Sequence, residues 1–126
     1  MIHGIGTDIV AVARLRASLD RHGERFAARI LTEAELAGFR QHANPANFLA
    51  KRFAAKEAMA KALGTGFRDG LSLHDIAVSN DELGKPSLVL SESLQRRLRA
   101  EGVTGTHLSL SDEREYAVAF VIVERA

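Results

Sequence analysis

Asp8, Glu57 and Lys61 are the side chains whose types and spacing could do chemistry. Asp8 lies within an apolar, β-branched run and follows Gly4 and Gly6, which leave open space beside it. Carboxylates are seldom fully buried unless they are paired or hold a metal. Phe53, Glu57 and Lys61 sit four residues apart, so on a helix they share one face. Taken alone, Glu57 and Lys61 read as an ordinary exposed ion pair worth a few tenths of a kcal/mol. Three features argue against that. The pair shares its face with an aromatic anchor, the segment is alanine-rich as a closely packed helix would be, and Asp8 needs a partner for its charge.

The chain has no cysteine, so any metal must be held by oxygen or imidazole. Two carboxylates from separate elements suit magnesium, which takes one or two carboxylates and completes its shell with waters and phosphate oxygens. Arg52 and Lys56 flank Glu57 and could bind the same phosphates through charge-assisted hydrogen bonds. This is the layout of phosphoryl-transfer chemistry, in which positioning and charge neutralisation do most of the catalysis. Gly64-Thr65-Gly66 and Gly84-Lys85-Pro86 read first as a helix stop and a turn, and second as backbone that a nucleotide can approach. Neither is a phosphate-binding P-loop, which precedes a helix. The five histidines show no paired ligand spacing, and Ser109 and Ser111 have no base nearby in sequence.

The elements that must position these residues are legible in outline. Ile2 to Val12 reads as a strand, with Ile5, Thr7 and Ile9 on one face and Gly4, Gly6, Asp8 and Val10 on the other. Ala13 to Arg29 reads as a helix, and a second starts at Thr32, where Thr32 and Glu35 have capping-box spacing. The clearest helix opens at Asn44-Pro45 and stops at Gly64. It would be roughly 28 Å long and is the expected spine. Leu71 to Ser79 and Ser87 to Leu90 read as strands around the polar turn Asn80 to Pro86. Ser91 to Ala100 reads as a short helix, and His107 to Leu110 and Tyr116 to Glu124 as a hairpin. The pattern lacks regular βαβ units, so the fold class is α+β, with a mostly antiparallel sheet packed on a long central helix.

A chain of 126 residues fits one domain, residues 1–126. With 17 basic and 16 acidic residues its charge is too balanced for a nucleic-acid binder. No apolar run is long enough to span a bilayer and the first residues do not read as a signal peptide, so the expected location is the cytoplasm. One segment is locally basic: Arg14, Arg16, Arg21, His22, Arg25 and Arg29 have only Asp20 and Glu24 among them. That is a solvated helix face or a docking patch for an acidic partner. Arg14, Arg21 and Arg25 share one face if the helix is continuous.

The ordered motifs resemble those of the holo-acyl-carrier-protein synthases, the short bacterial branch of the 4′-phosphopantetheinyl transferase family. The resemblance is carried by Gly4-Ile5-Gly6-Thr7-Asp8-Ile9-Val10, by Arg29 to Glu35, and by Phe48 to Ala58 continuing through Lys61 to Gly66. Gly84-Lys85-Pro86 and His107 to Ser111 follow in order. Asp112 departs from the histidine that many members carry there. The resemblance implies that Asp8 and Glu57 bind magnesium with the coenzyme A pyrophosphate, and that Lys61 contacts the phosphate at the reaction centre. It implies that Arg52, Phe53, Lys56, Gly64, Thr65 and Gly66 line the coenzyme A site, with Gly84, Lys85, Pro86 and Ser109 near the adenosine. It further implies a homotrimer with sites between subunits, and an acidic acyl carrier protein docked on the basic helix through Arg14, Arg21 and Arg25. The implied reaction moves the phosphopantetheine arm of coenzyme A to a carrier serine, in fatty acid biosynthesis. The serine proton then goes to Glu57 or to a metal-bound water oriented by Asp8 or Glu57. A non-catalytic coenzyme A or nucleotide-binding module is the alternative, and it would not need both carboxylates.

Overall fold

The computed structural model describes residues 1–126. The elements in order are β1 (Ile2–Ala11), α1 (Val12–His22), α2 (Glu24–Ile30), α3 (Glu33–Gln41), α4 (Pro45–Leu63), a 3-10 turn (Leu73–Asp75), β2 (Ile76–Asn80), β3 (Pro86–Leu90), α5 (Glu92–Ala100), β4 (Val103–Asp112) and β5 (Tyr116–Arg125). All strand pairs are antiparallel: one sheet has the order β1-β5-β4, the other is the hairpin β2-β3. This is the expected α+β arrangement.

Helix α4 begins where Asn44 accepts a hydrogen bond from the Asn47 N–H and Pro45 takes the first turn, and it ends at Gly64 in a left-handed conformation. Eleven of its residues are buried, most of them alanines, so it is wrapped on nearly every side. It packs across β1 and β5. The approach is closest at the glycines of β1. A Cβ on Gly6 would stand 1.8 Å from the Ala58 carbonyl oxygen, and one on Gly4 would stand 1.9 Å from that of Ala62. The space beside Asp8 that the sequence left open is therefore filled by the backbone of α4.

The strand alternation of β1 holds: Val10 faces the core, whereas Ile9 is 63% exposed. On β5, Ala117, Ala119, Val121 and Val123 point to α4. Their alternates face outward, Phe120 among them at 43% exposure, in register with Thr7 of β1 and Ser109 of β4. One sheet face is thus covered by α4 and the other is open and rich in apolar side chains.

Three expected boundaries move. The helix expected over Ala13 to Arg29 is two helices, because Gly23 has φ of 63° and the chain turns there. Arg14 and Arg21 lie on α1 and Arg25 on α2, so the three do not share one helical face. The strand expected from Leu71 starts only at Ile76, because Ser72 and Asp75 cap each other and close a 3-10 turn. Finally, β4 runs from Val103, well before His107, since it pairs with β5 along its length.

Candidate active site

Asp8 projects from the α4-facing side of β1, and Glu57 and Lys61 stand one turn apart on α4. The close glycine contact brings strand and helix near enough for the three to meet. The Lys61 ammonium donates to an Asp8 carboxylate oxygen at 3.0 Å and to the Thr7 carbonyl at 3.0 Å. The simple Glu57–Lys61 pair is therefore not what forms; the lysine crosses to the strand. Glu57 is partly buried, and that burial pushes its carboxyl above the ordinary 4.5, with the Asp8 charge adding to the rise. Lys61 and Arg14 pull in the opposite direction. A buried carboxylate with a second carboxylate's charge beside it makes a site that favours a cation.

No group of three metal-ligating side chains is present. Two carboxylates of hard oxygen still fit magnesium, which draws its other ligands from phosphate and water. The donor set does not fit a thiophilic or structural zinc site.

Phe53 continues the same helix face. The Arg14 guanidinium lies 5.8 Å from the centre of its ring, and together they wall a cavity of about 280 Å³ with Leu15, Phe26, Arg29 and Leu73. Arg14, expected only in docking, thus also reaches the carboxylate site. A second cleft, of about 240 Å³, is lined by His22, Arg25, Phe26 and Arg29 at the corner between α1 and α2. Phe26 and Arg29 belong to both, so a basic surface runs from that corner to Phe53.

Lys56 corrects an expectation. It was to line a ligand site, but its side chain is 0% exposed. Its ammonium donates to the Ile30 carbonyl at 2.5 Å, to Glu35 at 2.7 Å and to the Leu73 carbonyl at 3.2 Å. Residue 56 is one step from Glu57 and so points to another side of α4. Burial lowers its pKa, and Glu35 opposes the shift.

Arg52 is mostly buried over the Phe48 ring, 3.8 Å from its centre, and its Nη2 donates to Asn80 at 3.2 Å. Burial lowers its pKa against the pull of Glu35. Thr65 and Gly66 form the turn after α4, where the Gly66 N–H donates back to the Ala60 carbonyl. Gly84, Lys85 and Pro86 close the β2–β3 hairpin. Asp81 shapes its tip by accepting from the Leu83 and Lys85 N–H groups at 2.9 and 2.8 Å. Ser109 is exposed on the open face of the sheet, opposite to the face carrying Asp8. Asp112 accepts from the Asn47 amide at 3.0 Å, tying the end of β4 to the first turn of α4.

Motif reading caught Glu35 as a capping residue and missed its long-range role. Its capping-box bonds with Thr32 are present. The same carboxylate also meets Lys56 and accepts from the Val78 N–H at 2.8 Å. The Thr-x-x-Glu spacing signalled only the local half of this role.

A family model described as the 4′-phosphopantetheinyl transferase superfamily matches residues 4–121. A holo-[acyl-carrier-protein] synthase of Halorhodospira halophila is 61% identical over 123 residues, covering 98% of each chain. The crystal structure of the holo-[acyl-carrier-protein] synthase from Neisseria meningitidis matches with a TM-score of 0.94 at 47% identity, over 99% of this chain and 100% of that one. The holo-(acyl-carrier-protein) synthase of Bacillus anthracis, in complex with CoA (3′,5′-ADP), matches with a TM-score of 0.83 at 41% identity, over 100% and 99%.

Proposed function

The chain belongs to the 4′-phosphopantetheinyl transferase superfamily, and on that premise we propose that it is a holo-[acyl-carrier-protein] synthase. It transfers the 4′-phosphopantetheine group of coenzyme A to a serine of an apo-acyl carrier protein. The observation that carries the catalytic part is the meeting of Asp8, Glu57 and Lys61 between β1 and α4.

The serine oxygen bonds to the β-phosphorus of coenzyme A, the bond from that phosphorus to the bridging oxygen breaks, and 3′,5′-ADP leaves with the electron pair. Asp8 and Glu57 would hold magnesium, which would supply positive charge to the pyrophosphate. Lys61, already bonded to Asp8, swings its ammonium onto the phosphoryl oxygens, where charge develops. Glu57, or a water oriented by Asp8 or Glu57, is the candidate acceptor of the serine proton. Phe53 and the Gly64-Thr65-Gly66 turn flank the coenzyme A, and Arg52 with Gly84-Lys85-Pro86 serves its nucleotide end. Lys56 takes no part in that contact.

The whole chain, residues 1–126, acts as one transferase domain. The chain assembles as a homotrimer: the open sheet face, where Ile5, Ile9 and Phe120 are large apolar side chains with no cover in a single chain, supports association, and the number three rests on the family resemblance. Ser109 then serves a neighbouring subunit's site, consistent with its place on the face away from Asp8. The carrier protein docks through Arg14, Arg21 and Arg25; Arg25 and Arg14 line the two adjoining clefts, and the Arg14 charge acts on Glu57. No helix is long and apolar enough to cross a membrane; we place the reaction in the cytoplasm, in fatty acid biosynthesis.

The test is to incubate the protein with coenzyme A, magnesium and an apo-carrier protein and to follow the intact mass of the carrier. Wild type adds one phosphopantetheine group, and Asp8→Ala and Glu57→Ala fold but do not. Full transfer by Asp8→Ala in excess chelator would refute the assignment.

A further inference from the structure

The Glu35 carboxylate sits where three elements converge. It is 4% exposed. One oxygen accepts from the Thr32 N–H at 3.0 Å and from the Lys56 ammonium at 2.7 Å. The other accepts from the Val78 N–H at 2.8 Å and faces the Arg52 Nε at 3.6 Å. These partners belong to the start of α3, to α4 and to β2.

A buried ion pair is a poor way to gain stability, because desolvation offsets much of the attraction and apolar residues of similar volume often do as well. What a carboxylate supplies is direction, since its lone pairs fix several donors at set angles. Here the direction leads to the hairpin tip. Through Val78 the carboxylate holds the β2 backbone against α4. Its contact with Arg52 continues outward: Arg52 Nη2 donates to the Asn80 side chain at 3.2 Å, and the Asn80 amide donates to the Gly84 carbonyl at 3.0 Å. That tip is the Gly84-Lys85-Pro86 loop. One turn and more along α4 from Arg52 stand Glu57 and Lys61. The same carboxylate therefore sets the spacing between the loop and the reaction centre. The Arg52 Nε is buried and lacks a hydrogen-bond partner, so its charge is held by Glu35 alone from that side.

We propose that Glu35 is a positioning residue for the transfer: through Val78 and the Arg52–Asn80–Gly84 chain it holds the hairpin tip in register with the carboxylates of α4, and so sets the affinity for the nucleotide end of coenzyme A. This deepens the transferase reading and rests on it. Glu35 touches no substrate and acts only through these partners.

Asn80→Ala and Glu35→Gln test it together. Asn80→Ala cuts the outer link in an exposed position and leaves the Glu35–Lys56 pair intact. It raises the KM for coenzyme A about 3- to 10-fold, the range for one lost hydrogen bond. Its kcat, carrier KM and Tm stay near wild type. Glu35→Gln presents an amide donor to groups that are themselves donors, so it raises the coenzyme A KM further and lowers Tm. The double variant shows a coenzyme A KM no higher than Glu35→Gln alone, because both changes break one path. A merely structural role predicts unchanged KM in Asn80→Ala and independent effects in the double variant, and either result overturns the proposal. If Glu35→Gln does not fold, Glu35→Asp, which keeps the charge but shortens its reach to Val78 and Arg52, replaces it in the cycle with the same expectations. Coenzyme A affinity is also read directly by calorimetry in magnesium. A wild type that binds coenzyme A but modifies no apo-carrier overturns the transferase reading, while the binding cycle still decides the role of Glu35.

Discussion

Replacing Gly6 by alanine should damage stability and catalysis together, because one contact supports both. The new Cβ would lie 1.8 Å from the Ala58 carbonyl oxygen, 2.7 Å from the Ala62 nitrogen and 2.9 Å from the Ala58 carbonyl carbon. All three atoms are backbone of α4, so no side-chain rotation relieves the clash. To reach ordinary van der Waals separation the helix must retreat from β1 by about 1.5 Å, or the strand must bend by as much. Overpacking of this kind costs about 1–3 kcal/mol, which lowers Tm by roughly 5 °C or more. Asp8 lies two residues beyond Gly6 on the same strand face, and Lys61 reaches it at 3.0 Å from α4. A retreat of α4 stretches that contact and separates Asp8 from Glu57. Misplacement of about 1 Å can cost about 100-fold in rate, so kcat/KM should fall by that order. The assays are a thermal melt and carrier-modification kinetics with saturating magnesium. Gly38→Ala is the control: its Cβ meets only the edge of the Phe48 ring, at 3.3 Å, and should change stability by less than about 1 kcal/mol. Wild-type Tm and kcat/KM in Gly6→Ala would refute the view that this close approach sets the site.

Three further outcomes follow from the geometry. The Glu57 carboxyl is raised above 4.5, so between pH 4.5 and its folded value the native chain binds a proton that the unfolded chain releases; stability of the metal-free protein should therefore fall as pH rises through that window. Melts in chelator should show this slope flattened in Glu57→Gln, and an unchanged slope would contradict the assigned environment. Phe120→Asp puts a charge on the open sheet face at a position 43% exposed in the single chain, and sedimentation should show loss of the oligomer with loss of transfer. Arg21→Ala with Arg25→Ala should raise the carrier KM and its salt sensitivity while leaving the coenzyme A KM within about twofold, because exposed charges act mainly on encounter; a rise in the coenzyme A KM alone would count against docking on that corner.

Much of the scaffold is written locally. Asn44-Pro45 starts α4 and Gly64 ends it because capping depends on residues within one turn. The Thr32–Glu35 box closes for the same reason. The alternation in β1 puts Gly4, Gly6, Asp8 and Val10 on one face because the strand period is two whatever surrounds it. These rules, with residue chemistry, were enough to single out Asp8, Glu57 and Lys61 and to expect α+β.

Tertiary packing decided the rest. The sequence of the basic segment allowed one helix, and the chain instead bends at Gly23 so that α1 and α2 can both pack on their neighbours. Lys56 and Lys61 are both lysines of one helix, yet Lys56 is sealed against Glu35 while Lys61 reaches Asp8 across a gap that exists only because two glycines admit the helix backbone. Glu35 shows the same division within one side chain: its bond to Thr32 spans three residues and was legible, whereas its bonds to Lys56 and Val78 span 21 and 43 residues. Local propensity acts over a turn of helix or a pair of strand positions, and charge and hydrogen-bond partners are chosen among whatever the packed core brings within about 3 Å. Which carboxylates face a ligand and which are consumed inside the fold is therefore set by the packing of α4 on β1, not by the motifs that each of them carries.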